Sequence, residues 1–153
     1  MKVKVNELSD FQKQDKQLLS EIYRNTQIGA ESMNALISET ADPALKTTFS
    51  DQLCGYQQLS KRAHDMLEQC GGKAEETSKM KSLGIHTGIK LNALMDKTSS
   101  HLAEMAIEGS NMGIVGTTKQ MSQFSGASQN VRQLGNEVVS FEQHNIEVLK
   151  KYL

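Results

Sequence analysis

The stretch Asp42–Gly72, DPALKTTFSDQLCGYQQLSKRAHDMLEQCGG, is the clearest helix of the chain because it has a start, a stop and an apolar stripe. Asp42 followed by Pro43 is typical of an N-cap and the first helical position. Gly71-Gly72 is typical of the left-handed turn that ends a helix. Apolar or small residues recur between them at steps of mostly three and four, on one helical face: Leu45, Phe49, Leu53, Tyr56, Leu59, Ala63, Met66, Leu67 and Cys70.

The length of this helix indicates that other helices of similar length pack beside it. From Pro43 to Cys70 it measures roughly 40 Å at about 1.5 Å per residue, and a single apolar stripe has to be buried along all of it. A first helix is predicted from a capping box at Ser9–Gln12 to about Glu39, antiparallel to the second. We expect residues 1–8 to form an extended arm.

Two more long helices are predicted in the second half of the chain. One follows from His101 towards Phe124, after a break at residues 97–100. The last follows a break at residues 125–128 and carries a heptad seam with one polar member, Asn145, which either fixes the register or contacts a ligand. The seam consists of Val131, Leu134, Val138, Phe141, Asn145, Val148 and Tyr152. A shorter helix from about Met80 to Leu94 is predicted within a crossover between helices two and three.

Composition supports one all-α domain over residues 1–153. Aromatic residues make up 5% of the chain and Trp is absent, whereas Met occurs 8 times, which indicates a core of aliphatic side chains, Met and Ala. The formal net charge of -1 gives no general attraction to nucleic acid or anionic lipid. No run of about 18 apolar residues predicts a membrane span, and MKVKVNELSD at the start has no apolar signal segment.

The two cysteines predict a reducing compartment. Cys54 and Cys70 lie 16 residues apart on one predicted helix, roughly 24 Å, whereas a disulfide needs Cα atoms within about 7 Å. We therefore expect free thiols and a cytoplasmic location; a redox or metal role is the alternative, although neither residue belongs to a CxxC motif.

A di-metal site of the usual helical-bundle type is not predicted. Such a site takes one Glu from each of two helices and a Glu-x-x-His from each of the other two. The residues three before the four histidines, His64, His86, His101 and His144, are Lys61, Leu83, Thr98 and Phe141. Inward positions near the middle are expected at Tyr56, Leu59 and Ser60 on helix two and at Phe141, Gln143 and His144 on helix four. The sequence predicts no cofactor and no catalytic residues.

An atypical metal site is the alternative to an empty bundle. It would use Glu31, Glu108, Glu137 and His144, brought together where helices three and four face each other. Gly109, Gly113 and Gly116 lie in the third helix, and we interpret them as the mark of a close helix–helix contact. There is no GxxxxGK[ST] phosphate-binding loop and no basic cluster larger than Lys150-Lys151.

The chain resembles the ferritin-like four-helix-bundle superfamily from about Leu18 onward. Its nearest likeness is to a bacterial ferritin-like family of unknown function, of the stress-induced type; a weaker one is to spore-coat ferritin-like proteins. The residues that carry it are Ile28-Gly29-Ala30-Glu31, Asp42-Pro43-Ala44-Leu45, Phe49, Cys70-Gly71-Gly72, Glu108-Gly109, Gln143-His144, Ile146 and Leu149.

The resemblance implies a bundle with a left-handed crossover connection between helices two and three and a degenerate metal site. Where metal-binding relatives place ligands, this chain has Ala30 or Glu31, Tyr56 with Leu59, Glu108 or Ser110, and Ser140 with Gln143. Spore coat becomes a second location beside the cytoplasm.

Three functions are compatible with these observations. The first is a non-catalytic bundle that acts through protein contacts, as a homo-oligomer, with a dimer favoured, or with another protein. The second is a metal-binding or oxidative-stress protein with the atypical site. The third is a carrier of a small apolar ligand in the bundle core, where Met and Gly leave room.

Overall fold

A computed structural model of the chain describes residues 2–74, 84–85, 88–90, 92–93 and 95–153, with side chains from residue 10 onward. These residues are all-α, and none of them lies in a strand. The long helices are α1 (Lys2–Glu39), α2 (Pro43–Gln69), α3 (Ser99–Gln123) and α4 (Gln129–Leu149), and a 3-10 turn follows at Lys150–Tyr152.

The predicted start and stop of α2 are confirmed. The Asp42 carboxylate accepts a hydrogen bond from the backbone N–H of Ala44 at 2.9 Å, and Pro43 is the first helical residue. At the other end Gly71 has a φ of 75°. The N–H groups of Gly71 and Gly72 donate to the carbonyls of Glu68 and Leu67, each at 2.9 Å, which is the Schellman arrangement.

The predicted start of α1 is wrong. The helix begins at Lys2, so residues 2–8 are helical rather than an extended arm, and the pattern at Ser9–Gln12 lies inside the helix. Residues 2–8 contain neither Pro nor Gly. Each of them costs at most about 0.7 kcal/mol relative to Ala in a helix, so nothing in this segment forces the helix to begin later.

Contacts at one end of the helices show where α2, α3 and the C-terminus lie. The Ser99 hydroxyl donates to the Asp42 carboxylate at 3.1 Å, so α3 begins beside the start of α2. The hydroxyls of Thr48 and Tyr152 lie 2.9 Å apart, which brings the end of α4 to the same level. This is also the end at which α1 finishes.

The opposite end is fixed by α1 and the α3–α4 turn. The backbone N–H of Gly126 donates to Gln14 at 2.7 Å, and that of Ser128 donates to Asp15 at 2.6 Å. Therefore α1 and α4 run in one direction and α2 and α3 in the other. Each helix packs against two antiparallel neighbours, α1 and α4 against both α2 and α3. The connection from α2 to α3 has to return over the length of the helices.

The core consists of two buried clusters. The one towards the α3–α4 turn comprises Leu18, Leu19, Ile22, Tyr23, Leu59, Ala63, Leu67, Ala127, Val131, Leu134 and Val138. The one towards the other end comprises Met33, Leu36, Leu45, Phe49, Tyr56, Ala93, Leu102, Ala103, Ala106 and Leu149. Phe141 packs against both clusters, so its level marks the middle of the core.

The predicted seam of α4 is confirmed in its first half and shifts in its second. Val131, Leu134, Val138 and Asn145 are buried, but beyond Val138 the fully buried positions also include Glu142 and Leu149, whereas Phe141, Val148 and Tyr152 are half-buried. A straight helix drifts by about 20° per heptad relative to a repeat of 3.5 residues. The buried stripe therefore moves to the neighbouring positions.

The helix α3 begins inside the predicted break at residues 97–100. The Thr98 hydroxyl accepts from the N–H of His101 at 3.2 Å, and the helix begins at Ser99, two residues before His101. Met80 and Leu94, the predicted ends of the crossover helix, lie outside the described residues; those described between 84 and 95 are helical. None of the described segments carries an apolar helix that could span a lipid bilayer.

Candidate binding site

The centre of the candidate site is a buried carboxyl group on α4. Glu142 is 4% exposed. Its Oε1 accepts a hydrogen bond from the hydroxyl of Tyr56, on α2, at 3.0 Å. Tyr56 is also buried. A carboxyl group removed from water in this way is costly unless it is hydrogen-bonded or neutral, so its position calls for a specific environment.

Glycines make the space for this pair. A side chain at Gly29 would overlap the ring of Tyr56, and one at Gly113 would overlap the Glu142 carboxylate. The ring of Phe141 occupies the space beside Gly55 and meets Tyr56 edge to face, with centroids 4.9 Å apart and an interplanar angle of 88°. Glycines on α1, α2 and α3 thus admit two aromatic rings and one carboxylate to the centre of the helices.

Several polar atoms near the pair have no hydrogen-bond partner among the described residues. Besides His101 Nε2, the buried side-chain atoms of this kind are Gln52 Oε1, Ser110 Oγ, Glu142 Oε2 and Asn145 Nδ2. Ser110 and Asn145 lie close enough to the Tyr56 hydroxyl to lower its pKa, although neither forms a hydrogen bond of normal geometry with it. Ser110 and Glu142 line one cavity, whereas Gln52 and Asn145 line a separate groove. Native proteins satisfy most buried polar groups, so Ser110 and Glu142 are available to a bound molecule.

Burial shifts both titrating groups towards their neutral forms. Desolvation raises the pKa of Glu142 from 4.5 to about 7, against the opposing effect of the hydrogen bond from Tyr56. Desolvation and the nearby Glu142 carboxylate raise the pKa of Tyr56 far above 10.0. Near neutral pH, Tyr56 is therefore a hydrogen-bond donor, and Glu142 exchanges between the carboxylate and the acid. Strongly shifted groups beside a cavity are typical of functional sites.

A cavity of about 530 Å³ opens beside these groups. It lies between α1, α3 and the described helical residues at 84–85, 88–89 and 92. Tyr56, Ser110 and Glu142 line its inner wall. Other polar lining residues include Asn25, Ser32, Asn92, His101, Glu104 and Glu108. Most of the apolar lining comes from Ile28, Met33, Leu36, Ile85, Ile89, Met105, Ala106 and Met112. An apolar cavity of this size with a few convergent polar groups is the usual form of a small-molecule site.

His101 adds a further polar atom to the wall of the cavity. Its Nδ1 lies 4.0 Å from a carboxylate oxygen of Glu104, one turn along α3. Its Nε2 is buried and has no partner among the described residues. The site therefore has hydrogen-bonding groups near the first turn of α3 as well as at Glu142.

The four residues of the alternative metal site lie in different places. Glu137 forms an ion pair with Arg62 of α2, and Glu31 lines a surface groove with His64. Glu108 is exposed at the cavity beside Gly109, and His144 is exposed on α4. No group of three or more His, Cys, Asp or Glu side chains that could hold a metal ion is present in the ranges that the structure describes. Cys54 and Cys70 are both free.

The inward positions of α4 differ from those predicted. Phe141 packs against both core clusters, as predicted. Gln143 and His144 are exposed, and the buried residues next to Phe141 on this face are Glu142 and Asn145. On α2 the predicted inward residues, Tyr56, Leu59 and Ser60, are buried as expected. Glu142 and Asn145 have the i,i+3 spacing of Glu-x-x-His, with an amide in place of the imidazole. This spacing is the sequence signal that points to Glu142.

The three glycines of α3 do not share the one role predicted for them. Gly113 makes room for the Glu142 side chain, whereas a Cβ at Gly109 would have no atom within 4 Å. A Cβ at Gly116 would lie 3.8 Å from Nδ2 of Asn25, an ordinary contact. The close contact at these glycines is therefore between the Glu142 carboxylate and the α3 backbone at Gly113, rather than between two helix backbones.

Comparison of the chain with protein-family models, with curated proteins and with solved structures finds no match.

Proposed function

We propose that the chain is a non-catalytic, ferritin-like helical bundle that binds a small, mostly apolar molecule in the cavity beside Glu142. The ferritin-like part is supported by the helix directions. In this arrangement α2 and α3 run the same way, and one long connection between them returns over the length of the helices. Ferritin-like folds are four-helix bundles with one such crossover.

The binding proposal depends on Oε2 of Glu142, which lies at an apolar cavity and has no hydrogen-bond partner among the residues that the structure describes. A ligand with an N–H or O–H group would supply the missing donor, and its apolar body would cover the Ile, Leu and Met side chains. Ser110, whose hydroxyl is also buried and unpartnered in the described part, lies on the same wall and could donate or accept.

The protonation states of the pair are compatible with ligand binding. The raised pKa of Tyr56 keeps the phenol neutral and able to donate a hydrogen bond. With a pKa of about 7, Glu142 can accept a hydrogen bond as a carboxylate or donate one as an acid. A cytoplasmic location, which we also propose, fits the two free cysteines.

Filling the cavity tests the proposal. Gly109→Leu places a side chain at a cavity-lining position where a Cβ meets nothing within 4 Å. The probe is N-phenyl-1-naphthylamine, a neutral fluorophore with one N–H donor. We expect saturable binding to the parent chain and at least about tenfold weaker binding to Gly109→Leu, since the leucine occupies ligand space.

Gly116→Ala is the matched control. It also replaces a glycine of α3 and is expected to strengthen the helix, but Gly116 does not line the cavity. Its affinity for the probe should equal that of the parent. The absence of saturable binding to the parent, or equal binding by Gly109→Leu, would refute the proposal.

A further inference from the structure

The outer face of α3 carries four exposed residues in one row. They are Glu108, Met112, Val115 and Lys119, at steps of four, three and four, which place them along one line of the helix. Met112 is 76% exposed and Val115 is 53% exposed. This row, which we call the α3 seam, has an apolar centre, an acidic end and a basic end.

The α3 seam is complementary to itself. Both the apolar pair and the charged pair are centred on the peptide bond between Gly113 and Ile114. A two-fold axis through that point would place Met112 of one copy against Val115 of another. The same axis would place Glu108 opposite Lys119 at both ends. An isologous contact between identical chains requires this kind of self-complementary patch.

Charge selects the antiparallel arrangement. In a parallel pairing Glu108 would face Glu108 and Lys119 would face Lys119, which is repulsive. Neither charge has an ion-pair partner among the described residues, so both are available to a second copy. The net charge of -1 adds little repulsion between two copies.

The flank of the seam allows close approach. Gly109 and Gly116 lie beside it without side chains, and a Cβ at Gly109 would meet nothing within 4 Å. A second helix could therefore approach until Met112 and Val115 are covered. The exposed methionine and valine would then lose their contact with water, which is the main favourable contribution to association.

We propose that two copies of the chain form a two-fold symmetric dimer through an antiparallel contact of their α3 seams. Met112 and Val115 form its centre, and a Glu108–Lys119 ion pair closes each end. Glu108 and Met112 also line the cavity, so this contact lies beside the proposed ligand site. It does not involve Glu142, and its test is the state of association, which is measured without a ligand.

Sedimentation equilibrium of the full chain tests the dimer. We expect a concentration-dependent dimer for the parent. Met112→Lys should weaken it by at least about tenfold, because it places a charge at the centre. Glu108→Lys and Lys119→Glu should each weaken it, because each creates two like-charge contacts. The control is Asp51→Lys, which makes the same change of charge type at an exposed position of α2 and should leave the association unchanged.

Two rescue experiments make the test specific for the antiparallel pairing. The double variant Glu108→Lys/Lys119→Glu should associate as the parent does, because both ion pairs are restored with reversed sign. Mixing the two single variants should give a heterodimer stronger than either homodimer. A monomeric parent, an undisturbed dimer in Met112→Lys, or a failure of both rescues would overturn the proposal. Circular dichroism of each variant confirms that it is folded.

Discussion

The carboxyl group of Glu142 occupies the space that a side chain at position 113 would fill. A Cβ built on Gly113 would come within 2.7 Å of the carboxyl carbon of Glu142. The buried carboxylate on α4 therefore depends on the absence of a side chain on α3. The hydrogen bond to Tyr56 holds the same group from α2, so three helices define its position.

Gly113→Ala is expected to destabilise the fold although Ala is the better helix former. Overlap with Glu142 should cost about 1–3 kcal/mol, as overpacking of a core does. Gly109→Ala is the matched control, because its Cβ has open space, and it should gain up to about 1 kcal/mol from helix propensity. Urea denaturation of both variants measures the difference. Stabilisation of both by the same amount would show that Glu142 moves away freely.

Glu142 should make stability depend on pH. Its pKa is raised from 4.5 to about 7 in the folded chain, so between these values the folded chain retains a proton that the unfolded chain has released. The free energy of unfolding therefore falls as the pH rises through this window and levels off above it. The fall attributable to Glu142 is at most about 3 kcal/mol.

Glu142→Gln isolates this effect because the amide does not titrate. The free energies of unfolding of the parent and the variant should differ least near about pH 4. As the pH rises to about 7, the variant should become more stable relative to the parent. Urea denaturation at several pH values gives both curves. His101 lines the same cavity, but it is present in both chains and cancels in the difference. Parallel curves would contradict a buried, titrating Glu142.

Tyr56→Phe removes the hydrogen bond that the Glu142 carboxylate accepts from the Tyr56 hydroxyl. The loss should cost about 1–3 kcal/mol where Glu142 is ionised, because a buried acceptor is left unpaired. The pKa of Glu142 should rise further, since the hydrogen bond from Tyr56 lowers it. Carbon-13 NMR titration of the carboxyl group measures this shift. Tyr152→Phe, which removes a hydroxyl paired with Thr48, should leave the titration unchanged.

Asp42 joins the start of α2 to the start of α3. Asp42→Ala removes both the N-cap bond to Ala44 and the bond from Ser99, and should cost about 1–2 kcal/mol. Ser99→Ala removes only the second bond and should cost less, about 0.5–1 kcal/mol. Thermal or urea denaturation compares the two. Equal losses would mean that the cap itself contributes nothing.

Helix bounds could be predicted from the amino-acid sequence wherever the signals are local. Asp42, Pro43 and Gly71 act on backbone groups within a few residues, so the bounds of α2 could be predicted from them. The start of α1 was missed because a capping pattern at Ser9 is also compatible with a helix interior when no residue before it stops the helix.

The residues at the centre of the bundle could not be predicted in this way, because their burial depends on contacts between helices. The burial of Glu142 beside Phe141, with Gln143 and His144 exposed, depends on the small angular drift of a straight helix. The partner of Glu142, Tyr56, lies 86 residues away in the sequence, and the space for the carboxylate is left by Gly113 on a third helix. Burial and the raised pKa of Glu142 result from these long-range contacts, which no local pattern of residues specifies.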